Sequence, residues 1–298
     1  MDSGILLVDK PEGPSSAQVV QRVKSLLGAK KVGHLGTLDP FASGLLPLGI
    51  NDGTKIADLF LTAEKSYSGV AALGVETDTQ DSTGKVLEVR DVPALSEKDI
   101  EKLEGAFTGT LAQTPPMYSA LKKGGVRLYS LARRGQHVPR LPREIKIERL
   151  RLRQIGPAEL EMEVTCSKGT YIRTLAADMG TYLGCGAHLK SLRRLSCGHL
   201  TLEQAIPLSA IETLKNQGTI PLIPLNQALE FLREFRIESH WLPKLRMGRQ
   251  EVLAGLDMAG EGEKLVRLVD SENNLVALAH WVQDTLGGRW RLLRVFSG

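Results

Sequence analysis

Cysteine is scarce in this chain of 298 residues: Cys166, Cys185 and Cys197 are the whole complement, an odd number that cannot pair completely. One of them closes an alternating pattern, Leu160, Met162, Val164, Cys166, that turns it toward a core, so reduced and buried thiols are expected. Long apolar runs are missing too. No stretch approaches the roughly 20 residues that span a bilayer, and the opening MDSGILLVDKPEG lacks a basic leader followed by a long apolar segment. A cytoplasmic protein with no membrane association is the resulting expectation. Neither a GxGxxG nor a P-loop pattern occurs, so the usual signs of a bound dinucleotide or nucleoside triphosphate are absent. A zinc site would have to join Cys185 and His188 to Cys197 and His199, and that is not a usual ligand spacing; no metal and no organic cofactor are expected. Internal repeats and low-complexity tracts are lacking as well.

What the chain has is an ordinary apolar fraction of 42%, enough for one large domain with a bulky core plus a small second one. Its net charge of +4 conceals a local imbalance. Between Lys122 and Arg153 there are eleven Lys or Arg against Glu144 and Glu148, a segment charge of +9 that leaves −5 for the rest. Gly124, Gly125, Gly135, Pro139 and Pro142 interrupt this run, while Tyr118, Tyr129 and His137 offer flat stacking surfaces. A basic loop with aromatics suits RNA phosphates and bases better than a solvated helix face does.

The run from Val32 to Leu48, VGHLGTLDPFASGLLPL, carries a single acid, Asp39, between two apolar segments. Pro40 pushes Asp39 out of helical geometry, and Gly33, Gly36 and Gly44 permit turns and close approach. His34 and Asp39 either satisfy turn backbone or carry chemistry.

Patterning predicts a strand over Ile5 to Val8, then a helix capped at Ser15 or Ser16 with an apolar face of Val19, Val20, Val23, Leu26 and Leu27, ended by Gly28. Strands follow over Gly44 to Ile50 and Tyr67 to Val75, with a short helix over Thr54 to Phe60 between them. A second capped helix runs from Ser96 to about Phe107. Beyond the basic run, Ile145 to Arg153 and Leu160 to Cys166 read as paired strands, and a helix begins near Tyr171. Strand clusters and separated helices of this kind argue α+β with a mixed or antiparallel sheet. From about Ile237 the texture becomes short strand-like pieces, VRLVD, NLVALAHW and RWRLLRVF, which predict a small β-barrel carrying Arg289, Arg291 and Arg294 around Trp290.

GHLGTLDPFASGLL resembles the GHxGTLDPxAxGxL signature of the TruB family, the bacterial tRNA pseudouridine-55 synthases. The KPEGPSS run from Lys10 resembles the family's KPxGxTS, with Ser15 where Thr is usual. Lys65-Ser66-Tyr67 with LGVETDTQD, the insertion PPMYSALKKGGVRLYSLARRG, the motif CSKGTYIRTLAADMG and the segment GAHLKSLRRL extend the likeness in family order to about Leu195; Gly53 stands where Ala is common. The resemblance implies a catalytic domain over residues 1–235, of α+β class with a mixed, mainly antiparallel sheet of pseudouridine synthase type, bearing an RNA-gripping insertion at about 113–145. A small C-terminal β-barrel over 236–298 resembles a PUA domain.

It also implies roles. Asp39 corresponds to the catalytic aspartate that isomerises uridine 55 in the tRNA T-loop, Arg173 to its partner, and Tyr67 to the tyrosine that stacks on the flipped uracil. Leu192 corresponds to an apolar residue packed on the base. His34 is expected to prop the altered RNA, Lys10 to meet phosphate or brace the Asp39 loop, and Tyr171 to support the site. Lys122, Lys123, Arg133 and Arg134 are expected to grip RNA. tRNA is the implied partner, with no obligatory protein partner. Two other readings use the same residues: a noncatalytic RNA binder, and a glycoside hydrolase with Asp78 or Asp81 as second carboxylate.

Overall fold

The computed structural model describes residues 2–119, 121–136, 138–255, 264–284 and 287–296. The apolar segments of the first two thirds of the chain build one ten-stranded sheet. Across it lie Ile206–Pro207, Gly4–Lys10, Ser43–Ile50, Ala187–Cys197, Lys65–Leu73, Glu159–Cys166, Arg143–Gly156 and Gly109–Gln113, with Val32–His34 beside Ser43–Ile50 and Leu200–Thr201 beside Ala187–Cys197. Gly4–Lys10 pairs with Ile206–Pro207 in parallel, and so do Ser43–Ile50 and Ala187–Cys197; the other pairings are antiparallel. The predicted mixed, mainly antiparallel sheet is therefore present.

The first strand is apolar throughout because both of its faces are covered. Ile5 and Leu7 pack with Leu35, Leu45, Ile56 and Phe60, whereas Leu6 and Val8 pack with Val19, Val23, Leu46 and Leu48. The helix Ser16–Leu27 supplies Val19 and Val23. It starts at a capping box in which Ser15 and Gln18 satisfy each other's backbone N–H, and it ends where Gly28 turns left-handed at φ 62°. Serine at position 15 thus does the capping work. The helix Ile172–Tyr182 lays Ile172, Leu175, Ala176 and Met179 into the same core and carries Arg173 in its first turn.

One expectation about an element end needs correction. The strand from Lys65 stops at Leu73, because Gly74 takes φ 83°, and Val75–Thr77 instead forms a separate hairpin with Val86–Val89. The acidic turn between those two hairpin strands carries Asp78 and Asp81.

The late strands Leu265–Val269, Leu275–Asp284 and Gly287–Val295 pair antiparallel, and Arg233–Arg236 adds in parallel beside the first of them. Among the described residues this is an open sheet of four strands, not the closed barrel that patterning predicts. Closure is unnecessary because part of its apolar face is buried elsewhere: Leu275, Leu278 and Phe296 share a core with Ile5, Leu7 and Phe60. Its first strand also straddles the boundary expected at 235/236.

The three thiols are free and buried. His188 meets the Val75 carbonyl through Nδ1, and His199 lies between the rings of Phe60 and Phe231. No group of three metal-ligating side chains occurs, and no helix is long and apolar enough to cross a membrane, among the described residues.

Candidate active site

Asp39 stands in the irregular segment that joins Val32–His34 to Ser43–Ile50. This segment is fixed along its length. Leu35, Leu38 and Ala42 bury their side chains. The Ser16 hydroxyl both accepts from the Leu38 N–H and donates to its carbonyl, at 2.9 and 2.8 Å, and Gly13 N–H donates to the Pro40 carbonyl at 2.8 Å. Of the three glycines that patterning marks, only Gly44 has a positive φ, 99°, and there a Cβ would lie 2.4 Å from the Arg194 carbonyl oxygen. That position needs glycine because the strands approach closely.

The Asp39 side chain keeps 37% of its surface accessible while its Oδ2 accepts from Arg173 Nε at 2.9 Å. Arg173 itself is only 5% exposed and uses all three nitrogens. Nη1 donates to the Thr79 carbonyl at 2.8 Å and lies 3.4 Å from Asp81 Oδ2, and Nη2 donates to the Tyr118 carbonyl at 2.9 Å. One buried guanidinium thus ties together the signature loop, the acidic turn and the insertion, and it orients the Asp39 carboxylate. Asp81 is spoken for: it pairs with Arg173 and accepts from the Thr79 and Thr83 hydroxyls. Asp78 accepts from the Lys85 N–H and the Tyr118 hydroxyl. Neither is a second free carboxylate of the kind a hydrolase requires.

Tyr67 lies on Lys65–Leu73 opposite Val164 and Arg194. Burial pushes its hydroxyl up to about 12, against the pull of Arg194, so it stays protonated and offers a ring and a hydroxyl rather than a base. Leu192, on the neighbouring strand, is buried in the main core against Gly69. Tyr171 sits at the head of the Arg173 helix, its backbone clasped by the Gln113 amide through two hydrogen bonds of 2.8 and 3.1 Å, and burial raises its pKa. His34 is half-buried with Nδ1 lacking any hydrogen-bond partner; burial, followed by the Arg194 charge, lowers its pKa and favours the neutral ring.

Of the two roles expected for Lys10, meeting phosphate or bracing the Asp39 loop, its placement fits the second. It is fully buried, and its ammonium donates to the carbonyls of Pro11, Pro14 and Pro40 at 2.8, 2.9 and 3.3 Å. It braces the Asp39 loop from within. Burial lowers its pKa to about 8, and the nearby Asp39 charge partly offsets that.

In the insertion, Lys122–Lys123 pairs with Val126–Arg127 as a small hairpin, followed by the short helix Leu128–Ala132. Lys122, Arg133 and Arg134 are exposed, and the guanidiniums of Arg127 and Arg133 lie over the Tyr129 ring. His137 falls outside the described residues. The distal half of the basic run is different, since Lys146 pairs with Glu148, Arg151 with Glu104 and Arg153 with Glu161. Glu148 is already counted in the +9, and the two acids from outside the segment, Glu104 and Glu161, bring it to +7.

Asp81 as the second partner of Arg173, and Arg194, escape sequence reasoning. Arg194 is a buried arginine that donates to three carbonyls of the Asp39 loop. The one signal for it is an arginine inside the apolar alternation of GAHLKSLRRL, blurred because register shifts between Leu189 and Ser191 and between Arg194 and Ser196 break the two-residue period.

Comparison with known proteins fits this geometry. Residues 24–172 match the TruB family pseudouridylate synthase N-terminal domain, and residues 173–230 match the tRNA pseudouridylate synthase B C-terminal domain. The chain is 40% identical over 307 aligned residues to the tRNA pseudouridine synthase B of Geobacter sulfurreducens, covering 99% of each. It is 41% identical over 301 residues to that of Syntrophobacter fumaroxidans, covering 99% of this chain and 98% of the relative. Among solved structures, it superposes with a TM-score of 0.72 on a chain of a Cbf5-Nop10-Gar1 complex at 26% identity, covering 99% of this chain and 85% of that one. Loop, strand order and relatives agree, and the chain belongs to the TruB family of pseudouridylate synthases.

Proposed function

We propose that this protein converts uridine to pseudouridine in the T-loop of tRNA, at position 55, with Asp39 as the reacting carboxylate and no cofactor. The single observation that carries this reading is the accessible Asp39 carboxylate held by the buried Arg173 at 2.9 Å, in a chain whose relatives are named tRNA pseudouridine synthase B. The isomerisation breaks the N1–C1′ bond, turns the uracil and forms a C5–C1′ bond; the C5 hydrogen leaves to solvent and N1 gains a proton. Asp39 serves by attack at C1′, by attack at C6, or by removing the C2′ proton. Tyr67 stacks on the extruded ring, Leu192 packs near it, and His34 props the altered RNA. Extrusion costs about a few kcal/mol, offset by stacking and by phosphate contacts from Lys122, Lys123, Arg133 and Arg134. The same reading assigns residues 1–235 to a catalytic unit and 236–298 to a PUA-like RNA-binding unit, with the strand Arg233–Arg236 of the C-terminal sheet reaching across that boundary, and includes a cytoplasmic location.

The test is a T-arm RNA tritiated at C5 of the target uridine. Tritium is expected in water, with no free uracil and no strand break, and Asp39→Asn should slow release by roughly a thousandfold or more, a barrier increase of about 4 kcal/mol, while still binding RNA. Free uracil would point to a hydrolase, and label retained by RNA-bound wild-type protein to a simple binder.

A further inference from the structure

Arg194 occupies an unusual place for a charge. It lies on Ala187–Cys197, opposite Tyr67 on one neighbouring strand and opposite Gly44 on the other, and only 1% of it is exposed. Nε donates to the Leu45 carbonyl at 2.7 Å, Nη1 to Thr37 at 3.2 Å and Nη2 to Gly36 at 3.2 Å. Gly36 and Thr37 lead into Asp39, and Leu45 is the third residue of the strand that leads away. Tyr67 is the direct register partner of Arg194 across the antiparallel strand pair.

Among the described residues Arg194 has no carboxylate partner, although a buried charge normally has one. Three carbonyl dipoles compensate it instead. A methionine or leucine would fill similar volume without the desolvation cost, so packing alone does not explain an arginine here. What a guanidinium adds is geometry: a planar fork that spans three acceptors at once.

Resting on the function proposed above, we infer that Arg194 is a positioning residue for the isomerisation, holding both limbs of the Asp39 loop and the Tyr67 ring in one frame. Lys10 closes that frame from the other side through the Pro40 carbonyl. Loss of the frame lets Asp39 drift from the reacting atoms, and a misplacement on the order of 1 Å slows chemistry by about a hundredfold without altering remote binding contacts.

The experiment compares wild type, Arg194→Lys and Arg194→Gln in single-turnover pseudouridine formation on a T-arm RNA, with RNA binding and folding measured alongside. Arg194→Gln is expected to lose about a hundredfold in rate while its RNA Kd stays within about threefold. Arg194→Lys should recover part of the rate, since a single ammonium can serve three carbonyls, as Lys10 does. The imidazole NMR titration of His34, whose pKa the Arg194 charge lowers, should shift upward in Arg194→Gln and not in Arg194→Lys. Folded Arg194→Gln with near wild-type rate would overturn the inference. So would a rate loss that only follows lost RNA affinity, or failure of both variants to fold, which would make Arg194 a strut for the fold alone. Absence of product from wild type in the same assay would instead sink the proposed function.

Discussion

At the scale of single residues, the site is made of cations placed where water does not reach. Lys10 is the sharpest case. Burial lowers its pKa to about 8, with Asp39 pulling the other way, whereas an unfolded lysine titrates near 10.5. Between these values the unfolded chain holds a proton that the folded chain has released, so the unfolded state binds more protons and folding stability rises with pH. Lys10 therefore adds a stabilising slope from about pH 8 to 10.5, absent below that range. Urea midpoints measured across it should climb more steeply for wild type than for Lys10→Met; parallel slopes would show that Lys10 keeps its proton in the folded chain throughout this range. Arg173 behaves differently, because Asp39 and Asp81 both face it. Removing the Asp39 charge leaves that buried guanidinium partnered, which is why Asp39→Asn is expected to fold and to bind RNA.

At the scale of elements, the basic run divides into two parts with different work. Lys122, Arg133 and Arg134 project from the insertion, while Lys146, Arg151 and Arg153 lie on the strand Arg143–Gly156 beside acids. Only charges that meet phosphate release counterions. Neutralising Lys122, Lys123, Arg133 and Arg134 together should lower the slope of log affinity against log salt by about 3 units. Neutralising Lys146, Arg151 and Arg153 should change it by less than about 1 unit. A larger change for the strand set than for the insertion set would mean that the strand, not the insertion, touches RNA. The insertion is also wired to the chemistry, since the Tyr118 carbonyl accepts from the arginine that holds Asp39.

At the scale of the whole molecule, the four-stranded sheet is packed into the core of the first strand. Phe296 is buried with Ile5, Leu7 and Phe60, and Lys55 reaches the neighbouring Val295 carbonyl at 2.8 Å while its ammonium lies over the Phe296 ring. Deleting a buried phenylalanine side chain costs about 3–5 kcal/mol through lost transfer energy and a cavity. Phe296→Ala should therefore lower the urea midpoint of the entire chain, followed by circular dichroism, and not merely detach the last strands. A separate early transition with an unmoved main one would show that the C-terminal sheet folds apart.

The sequence by itself determined the local elements and the candidate carboxylate. Ser15 and Gly28 bound their helix because caps act within a few residues, and Asp39 stands out because its loop is written in contiguous Gly, Pro and apolar residues. The likeness to the TruB family made Arg173 and Tyr67 legible as well. Only the tertiary structure decided what the cations do. Lys10 and Arg194 are held by carbonyls that every residue possesses, so no side-chain pattern announces the contact. Glu104 answers Arg151 from 47 positions away, and charge pairing over such distances exists only once the strands are side by side. The C-terminal sheet stays open for the same kind of reason: its alternation shows that one face is apolar, but which surface covers that face is settled by the rest of the chain.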